Sequence, residues 1–451
     1  MDAQLRRHIE VHLPNYLEGL KRLCRQPSVA AQSHGVHECA ELVRQMLQDL
    51  SFRAQVLPTR DPRYPVVYAE RAGRSPRTLL FYNHFDVQPA EPLELWESPP
   101  FEPQERDGRV FARGVSDDKG HLAARLAALE ALLTVQGDLP CTVKFCIEGA
   151  EEIGSPGFAE FVEEHRDLLK ADVCVWEGGS VDWRGDPEIA LGLKGILYVE
   201  LEVRSASRDS HSSYATVVPN PAWRLVWALS TLKDQQERVL IPGFYDAVRP
   251  PTALEREAVA KMPADDEQLK QELGVKRFLK GLRGQDYLQR HLFEPTCTIC
   301  GMESGYTGEG TKTVLPATAR AKVDFRLVPH QRPEDILEKL KAHLAARGFS
   351  DVTVKAADGE NPSRTAMDSP FVELVRKTAR EVFGREPVLV PTSAGSGPMY
   401  CISEGLGLPI ASFGVGSPTD KIHAPNENVQ VANFLKGVLH VAELLVQFGK
   451  G

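Results

Sequence analysis

Apolar positions recur along this chain with two different periods, and the change of period divides it. In the first 194 residues, short apolar runs alternate with amphipathic stretches. Residues 78–86 (TLLFYNHFD), 142–149 (TVKFCIEG) and 171–179 (ADVCVWEGG) read as buried strands. Between the first two, residues 118–137 place Leu122, Leu126, Leu129 and Leu133 on one helical stripe, with Gly137 suited to the C-terminal cap. Residues 157–169 predict a second helix. Strands alternating with helices imply α/β architecture, a mostly parallel sheet covered by helices on both faces. Near Gly195 the period becomes two: ILYVELEVRSAS alternates as a half-buried antiparallel strand does. An α+β region follows, with a long polar helical stretch over about residues 252–290, a strand ending in ARAKVDFRLVP and a helix over 333–346. The α/β style then returns. Ser369 caps a helix that starts at Pro370 and ends at Gly384, and residues 408–416 (LPIASFGVG) form a last core strand. The expected organisation is one α/β domain built from 1–194 and 362–451, interrupted by an inserted α+β domain at 195–361.

Composition narrows the function. At 451 residues the chain exceeds one hydrophobic core. A net charge of −9 argues against nucleic-acid and anionic-membrane partners. The N-terminal stretch has scattered charges and no apolar segment of a signal peptide, and no apolar run approaches the ~18 residues of a membrane span. The eight cysteines are scattered, several within apolar strands, which reads as free thiols in a reducing, cytoplasmic setting. Cys297 and Cys300 form a CxxC without a second pair and read as strand thiols rather than a zinc site.

The chemistry sits where strands end. The first strand runs into NHFDVQP, with His84 and Asp86 two apart, a spacing at which a carboxylate can fix the tautomer of a metal-binding histidine. ARGVSDDKG puts Asp117 and Asp118 in a turn before a helix, where helix capping alone would also explain them. The second strand delivers Glu151 and Glu152, the third Glu177, and a loop after the last strand His423. Strand ends of α/β sheets are where active sites sit. So many carboxylates would repel one another without a cation between them, and mixed His and Asp/Glu ligation suits zinc or a similar divalent ion. His84, Asp117, Glu152, Glu177 and His423 would serve two metals with Asp117 between them. Of the adjacent Glu151 and Glu152, one would hold metal and the other would stay free as a base. Their spacing does not say which.

These motifs, in this order and spread over nearly the whole chain, resemble the two-zinc metallopeptidases that include aminoacylase, succinyl-diaminopimelate desuccinylase and carnosinase-like dipeptidases. NHFDVQPA, ARGVSDDKG, EGAEEIGS and KIHAPNENV are similar to that family's histidine, bridging-aspartate, Glu-Glu and closing-histidine motifs. DVQPA, SDDKG and EEIGSPGF together are most similar to the dipeptidases. The resemblance implies a catalytic domain with an inserted lid and dimerisation domain, hence a homodimer. It implies two zinc ions (manganese or cobalt would also suit) held by His84, Asp117, Glu152, Glu177 and His423. It makes Asp117 the bridge, Glu151 the general base and Asp86 the residue orienting His84. It implies a cis Asp117–Asp118 peptide, and it makes His211 an oxyanion-stabilising residue that in dimeric members reaches the partner's site. Arg326, Thr313, Gly395 and Ser396 correspond to contacts with the substrate and its C-terminal carboxylate.

Two positions depart from the family pattern. Asn83 stands where the family usually has glycine, and little effect is expected. Ser393 stands where carnosinase-like members carry an acid that can pair with a free amino group. The expected activity is therefore metal-dependent dipeptide hydrolysis, with N-acyl-amino-acid hydrolysis on the same scaffold as the alternative. A non-catalytic binding protein is disfavoured by the intact Glu151 and ligand set. Among the other histidines, His8 and His12, four apart on the N-terminal helix, read as solvent-exposed, and His34 and His37 lie near a helix start without ligand partners nearby in sequence; Trp223 and Trp227 read as core of a lid helix.

Overall fold

The computed structural model describes residues 1–450, the side chains at 357 and 358 excepted. Eight strands form the main sheet, in spatial order Arg53–Leu57, Val66–Arg71, Cys141–Glu148, Ser75–His84, Val173–Trp176, Ile410–Ser412, Glu188–Ala190 and Val388–Val390. The four central strands, from Cys141–Glu148 to Ile410–Ser412, are mutually parallel. The antiparallel pairings lie towards the edges, at Val66–Arg71 and at Glu188–Ala190 against Ile410–Ser412. Strand Ser75–His84 shows why both faces must be covered. Leu79 and Phe81 enter the core beneath helices Ala3–Arg25, Lys119–Gln136 and Val431–Lys450, while Leu80 and Tyr82 enter the opposite core around Phe158, Phe161 and Met399.

Helix Lys119–Gln136 is buried nearly all round, beyond the single stripe its leucines suggest. It lies between the N-terminal and C-terminal helices, and Lys119 donates from Nζ to the carbonyls of Leu23 (3.1 Å) and Gln26 (2.7 Å), satisfying the end of helix Ala3–Arg25. The stretch expected as one helix over 157–169 is two, Phe158–Glu164 and Arg166–Leu169, and the strand expected over 408–416 is regular only at Ile410–Ser412. Helix Val431–Lys450 is long and apolar enough to cross a membrane by length and composition, contrary to the expectation that no run approaches that length. Two thirds of its apolar window is buried inside the protein (67%), and its Phe434, Val438, Leu444 and Leu445 belong to the main core.

Between residues 195 and 361 lies a second sheet, antiparallel, ordered Thr298–Ser304, Thr318–Leu327, Gly195–Arg204, Thr353–Glu360. The period of two is literal here: Leu197, Val199, Leu201 and Val203 are buried against helices Pro221–Ser230 and Pro333–Ala346. The polar stretch after residue 252 is three short helices, Ala253–Lys261, Asp266–Leu273 and Gly284–Phe293. From the first and third of these, Val259, Met262, Leu288 and Leu292 pack on Val390, so this segment leans on the edge of the main sheet. Trp223 and Trp227 correct the sequence expectation. Helix Pro221–Ser230 turns Leu225, Ala228 and Leu229 inward, leaving the two tryptophans stacked outside at 59% and 53% exposure.

His440 offers a test of the core. It is buried against Phe413 and Thr378, and burial holds its pKa down to about 3. The unfolded chain takes up this proton near pH 6.5, so the contribution is complete above that pH and is lost as pH falls towards 3. One proton contributes a slope of about 1.4 kcal/mol per pH unit in that window. Urea unfolding of His440→Gln from pH 6.5 to 4 should show a pH dependence shallower by that amount; an unchanged slope would mean His440 is protonated in the folded state.

Candidate metal centre and active-site cleft

The carboxyl ends of the parallel strands converge. His84 ends its strand, 1% exposed, with Nδ1 3.1 Å from the Asp86 carbonyl and 3.4 Å from Asp86 Oδ1. Its Nε2 faces Asp117 Oδ1 at 3.1 Å and Glu177 Oε2 at 3.8 Å. The other oxygen of Asp117 lies 3.1 Å from His423 Nε2, which is also 3.0 Å from Glu152 Oε2. Asp117 thus stands between two clusters, one with His84 and Glu177 and one with Glu152 and His423. His84 and Glu177 are also grouped with Asp118, and Asp117 with Glu152 and His423, each trio having ligand atoms within 4.8 Å. Asp118, however, is committed elsewhere: its carboxylate accepts from Asn83 Nδ2, the His84 amide (3.3 Å) and the Gly178 amide (3.4 Å). The Asp117–Asp118 peptide is cis.

Charge in this site is unbalanced. Burial would lower the His84 pKa, but Glu177, Asp117 and Asp86 raise it well above its ordinary value. Hydrogen bonds to the carboxylates of Asp117 and Glu152 push His423 up to about 10. Burial first, then neighbouring carboxylates, push Glu151 and Glu177 well above the usual carboxylate range. Glu177 Oε2 is buried and has no hydrogen-bond partner. An orphaned carboxylate oxygen beside a histidine and a shared aspartate fits a divalent cation, and the donor set of imidazole and carboxylate suits zinc or its neighbours.

The backbone holds these groups rigidly. Asp86 accepts from the amides of Glu151 (3.1 Å) and Glu152 (3.0 Å), so it fixes the Glu-Glu turn as well as facing His84. Gln88 Nε2 donates to Glu152 Oε2 at 2.9 Å. Glu427, fully buried, takes the amides of Gly114, Ser116 and Asp117 at 2.9–3.1 Å and an ion pair from Arg113 at 2.8 Å. Asp420 accepts from Ser116 Oγ at 2.8 Å. The loop carrying His423 is thereby locked to the loop carrying Asp117. Buried Arg125 donates to the carbonyls of Tyr82 and Trp176 and to Asn83 Oδ1, and Asn83 passes the chain on to Asp118. Asn83 is therefore a structural link, more than the neutral departure its sequence suggests. Glu427, Asp420 and Gln88 carry no separate sequence signal; only the run APNENV beside His423 could have drawn attention to Glu427.

A cleft of about 550 Å³ opens beside Asp117 and Glu177 and includes Ser393 and Ser396 on its wall. An ideal Cβ built on Gly397 would lie 3.4 Å from Glu151 Oε1, so the Glu151 carboxylate faces the 393–397 loop. Strand alternation turns Arg326 away from the lid core that Phe325 and Leu327 enter, and its Nη1 donates to Ser396 Oγ at 2.8 Å. Gly395 accepts the Lys194 amide at 2.9 Å. His211 lies on the short pairing of Ser210–His211 with Val314–Leu315, and Thr313 just before it accepts the Ser212 amide at 3.2 Å, but both are exposed and outside the residues that line this cleft. The structure thus gathers His84, Asp86, Asp117, Glu151, Glu152, Glu177 and His423 at one place, sets Arg326, Gly395 and Ser396 beside them, and leaves His211 and Thr313 apart.

Comparison with known proteins gives concordant results. The sequence profile of Peptidase family M20/M25/M40 matches residues 80–447. A human Beta-Ala-His dipeptidase is 30% identical over 86% of this chain and 78% of its own length. A Schizosaccharomyces pombe Cys-Gly metallodipeptidase is 30% identical over 84% of this chain and 82% of its own. Among solved structures, the M20 family metallo-carboxypeptidase Sso-CP2 from Sulfolobus solfataricus superposes with a TM-score of 0.93, at 39% identity over 100% of both chains.

The clamp on the Asp117 loop is testable. Glu427→Ala leaves Arg113 buried and unpaired, and should cost about 3–5 kcal/mol in denaturant unfolding. A loss under about 1 kcal/mol would mean the loop keeps its place without the clamp.

Proposed function

The chain belongs to Peptidase family M20/M25/M40 and is a metal-dependent peptidase, and from that premise we propose that it hydrolyses dipeptides. The observation that carries this reading is Asp117 set between His84 and His423, with the Glu151 carboxylate facing the 393–397 loop. His84 and Glu177 would hold one divalent ion, Glu152 and His423 the other, and Asp117 both, with zinc favoured by the donor set. Two such ions supply Lewis acidity that polarises the scissile carbonyl and acidifies water. The chain's own groups do the rest. Glu151, on a turn fixed by Asp86, takes a proton from the attacking water and returns it to the leaving amine. Arg326 and Ser396 hold the substrate's carboxylate, a task suited to a guanidinium. Asp86 keeps the His84 ring in place.

A second reading, hydrolysis of N-acyl amino acids, draws on Ser393. This residue lines the cleft where an acid would otherwise pair a free amine, and its main chain is tied to Gly192 at 2.7 Å. The likeness to a metallo-carboxypeptidase points the same way. An assay of free dipeptides beside N-acetyl amino acids, on metal-restored protein and following amine release, separates the two. Faster cleavage of the dipeptides is expected; faster cleavage of the acylated set would make the second reading the right one.

A homodimer through the lid fits the same reading. Trp223, Val226 and Trp227 face solvent on helix Pro221–Ser230, and Ile299 and Met302 do so on edge strand Thr298–Ser304. Such an apolar face with an open strand edge suits a second copy, which would carry His211 to the neighbouring cleft. The eight free cysteines, seven of them buried, support a reducing, cytoplasmic location.

Two outcomes check the mechanism. Glu151→Gln should lower kcat by about 10²–10⁴ while keeping its metal, measured by elemental analysis; loss of metal would exchange the roles of Glu151 and Glu152. A mixture of His211→Ala and Glu151→Gln proteins should regain activity through mixed dimers. Absence of recovery, in a mixture shown to exchange subunits, would count against a histidine shared across the dimer.

A further inference from the structure

A second cavity, of about 390 Å³, adjoins the metal-side cleft, and the two share His291 and Ala394 on their walls. Arg326 lines the second cavity; Ser396, its hydrogen-bond partner, lines the first. The Arg326–Ser396 contact therefore marks the boundary between them. A dipeptide with its carboxylate on this pair and its scissile carbonyl towards Asp117 and Glu177 has the α-carbon of its C-terminal residue at that boundary. The side chain on that carbon has the second cavity open to it.

The walls of this cavity state what it would accept. Val239, Phe278, Leu279, Leu282, Tyr287 and Cys297 supply apolar surface, and the rings of Phe278 and Tyr287 stack at 4.8 Å. Leu279 is 57% exposed at this wall. The charged residues around it are already engaged. Lys194 donates from Nζ to the carbonyls of His291 and Glu294, each at 2.7 Å. Lys233 is paired with Glu237, and Arg290 with Glu294 at 3.2 Å. A charged side chain entering here would break one of these pairs or go without a partner, whereas an apolar one would cover exposed rings and leucine. The segment that supplies Phe278 to His291 is the one that leans on the main sheet at Val390, so the cavity is walled mainly by residues of the insertion, with Ala394 the one contribution from the 393–397 loop.

We infer that this cavity is the subsite for the residue on the C-terminal side of the scissile bond, and that it selects large aliphatic and aromatic side chains. The inference rests on the dipeptide-hydrolysis reading and adds to it a substrate class, peptides or acyl amino acids ending in residues such as leucine or phenylalanine.

The test is a panel on the metal-loaded, full-length protein. Ala-Gly, Ala-Leu, Ala-Phe, Ala-Asp and Ala-Lys, with their N-acetyl-amino-acid counterparts, are compared by kcat/KM for wild type, Phe278→Ala and Leu279→Asp. Wild type should prefer C-terminal Leu and Phe over Gly, Asp and Lys by about tenfold or more. Leu279→Asp, at a side chain too exposed to carry the fold, should cut the Phe-to-Gly ratio by about tenfold and raise Lys relative to Phe. Phe278→Ala should cut the Phe-to-Gly ratio in the same direction. A wild type indifferent to the C-terminal residue, or a ratio that neither variant moves, would overturn the inference while leaving dipeptide hydrolysis standing. Cleavage of no member of the panel by wild type would overturn the parent reading and this one with it.

Discussion

Carboxylates forced together at the ends of parallel strands are the constraint on which the rest of this molecule depends. Asp117, Glu151, Glu152 and Glu177 meet around His84 and His423, in a place where burial strengthens every repulsion. Two imidazoles are the nearest positive partners, and the carboxylates push both towards protonation. An arrangement of this kind needs cations, and the surrounding structure reads as the means of keeping it in place until they bind. Asp86 spends both oxygens on the Glu151 and Glu152 amides, and Glu427 spends both of its own on the loop of Asp117. Neither carboxylate is left free to swing towards a neighbour.

The same requirement ties distant parts of the chain together. Arg125, from the helix that follows Asp118, reaches back under the sheet to the ends of two strands. The 417–428 loop is fastened to the 112–118 loop through Asp420 and Glu427, which brings His423 to Asp117. The lid reaches the cleft through Arg326 on Ser396, and Lys194, just before the first lid strand, holds the carbonyl end of helix Gly284–Phe293. Catalytic geometry and domain arrangement are thus one set of contacts.

Much of this was legible in the sequence because the informative signals are local. A strand followed by His-x-Asp, a turn with two aspartates before a helix, and two glutamates after a strand each announce a strand end within a few residues. The alternation in ILYVELEVRSAS predicted the lid strand, which ends at Arg204, three residues before the alternating stretch does. What was not legible depends on partners far away in sequence. Asn83 became important through Arg125 and Asp118, and Glu427 through amides some 310 residues earlier. Trp223 and Trp227 sit on a helix short enough that either face could have been the buried one, and the helix sets Leu225 and Leu229 inward instead. The segment after residue 252 shows no long stripe because it is broken into three short helices, of which the first and third share a small core with Val390. The apolar length of helix Val431–Lys450 follows from its lying inside the main core.

The central claim is that Asp117 stands between two divalent ions. Diffraction from crystals soaked in zinc, with anomalous differences collected at the zinc edge, tests it most directly. The account predicts two peaks flanking Asp117, about 3.5–4 Å apart. One should lie about 2.0–2.2 Å from His84 and Glu177 ligand atoms, and the other as close to Glu152 and His423. A single peak, or a pair bridged by Asp118 with Asp117 turned away, would contradict it.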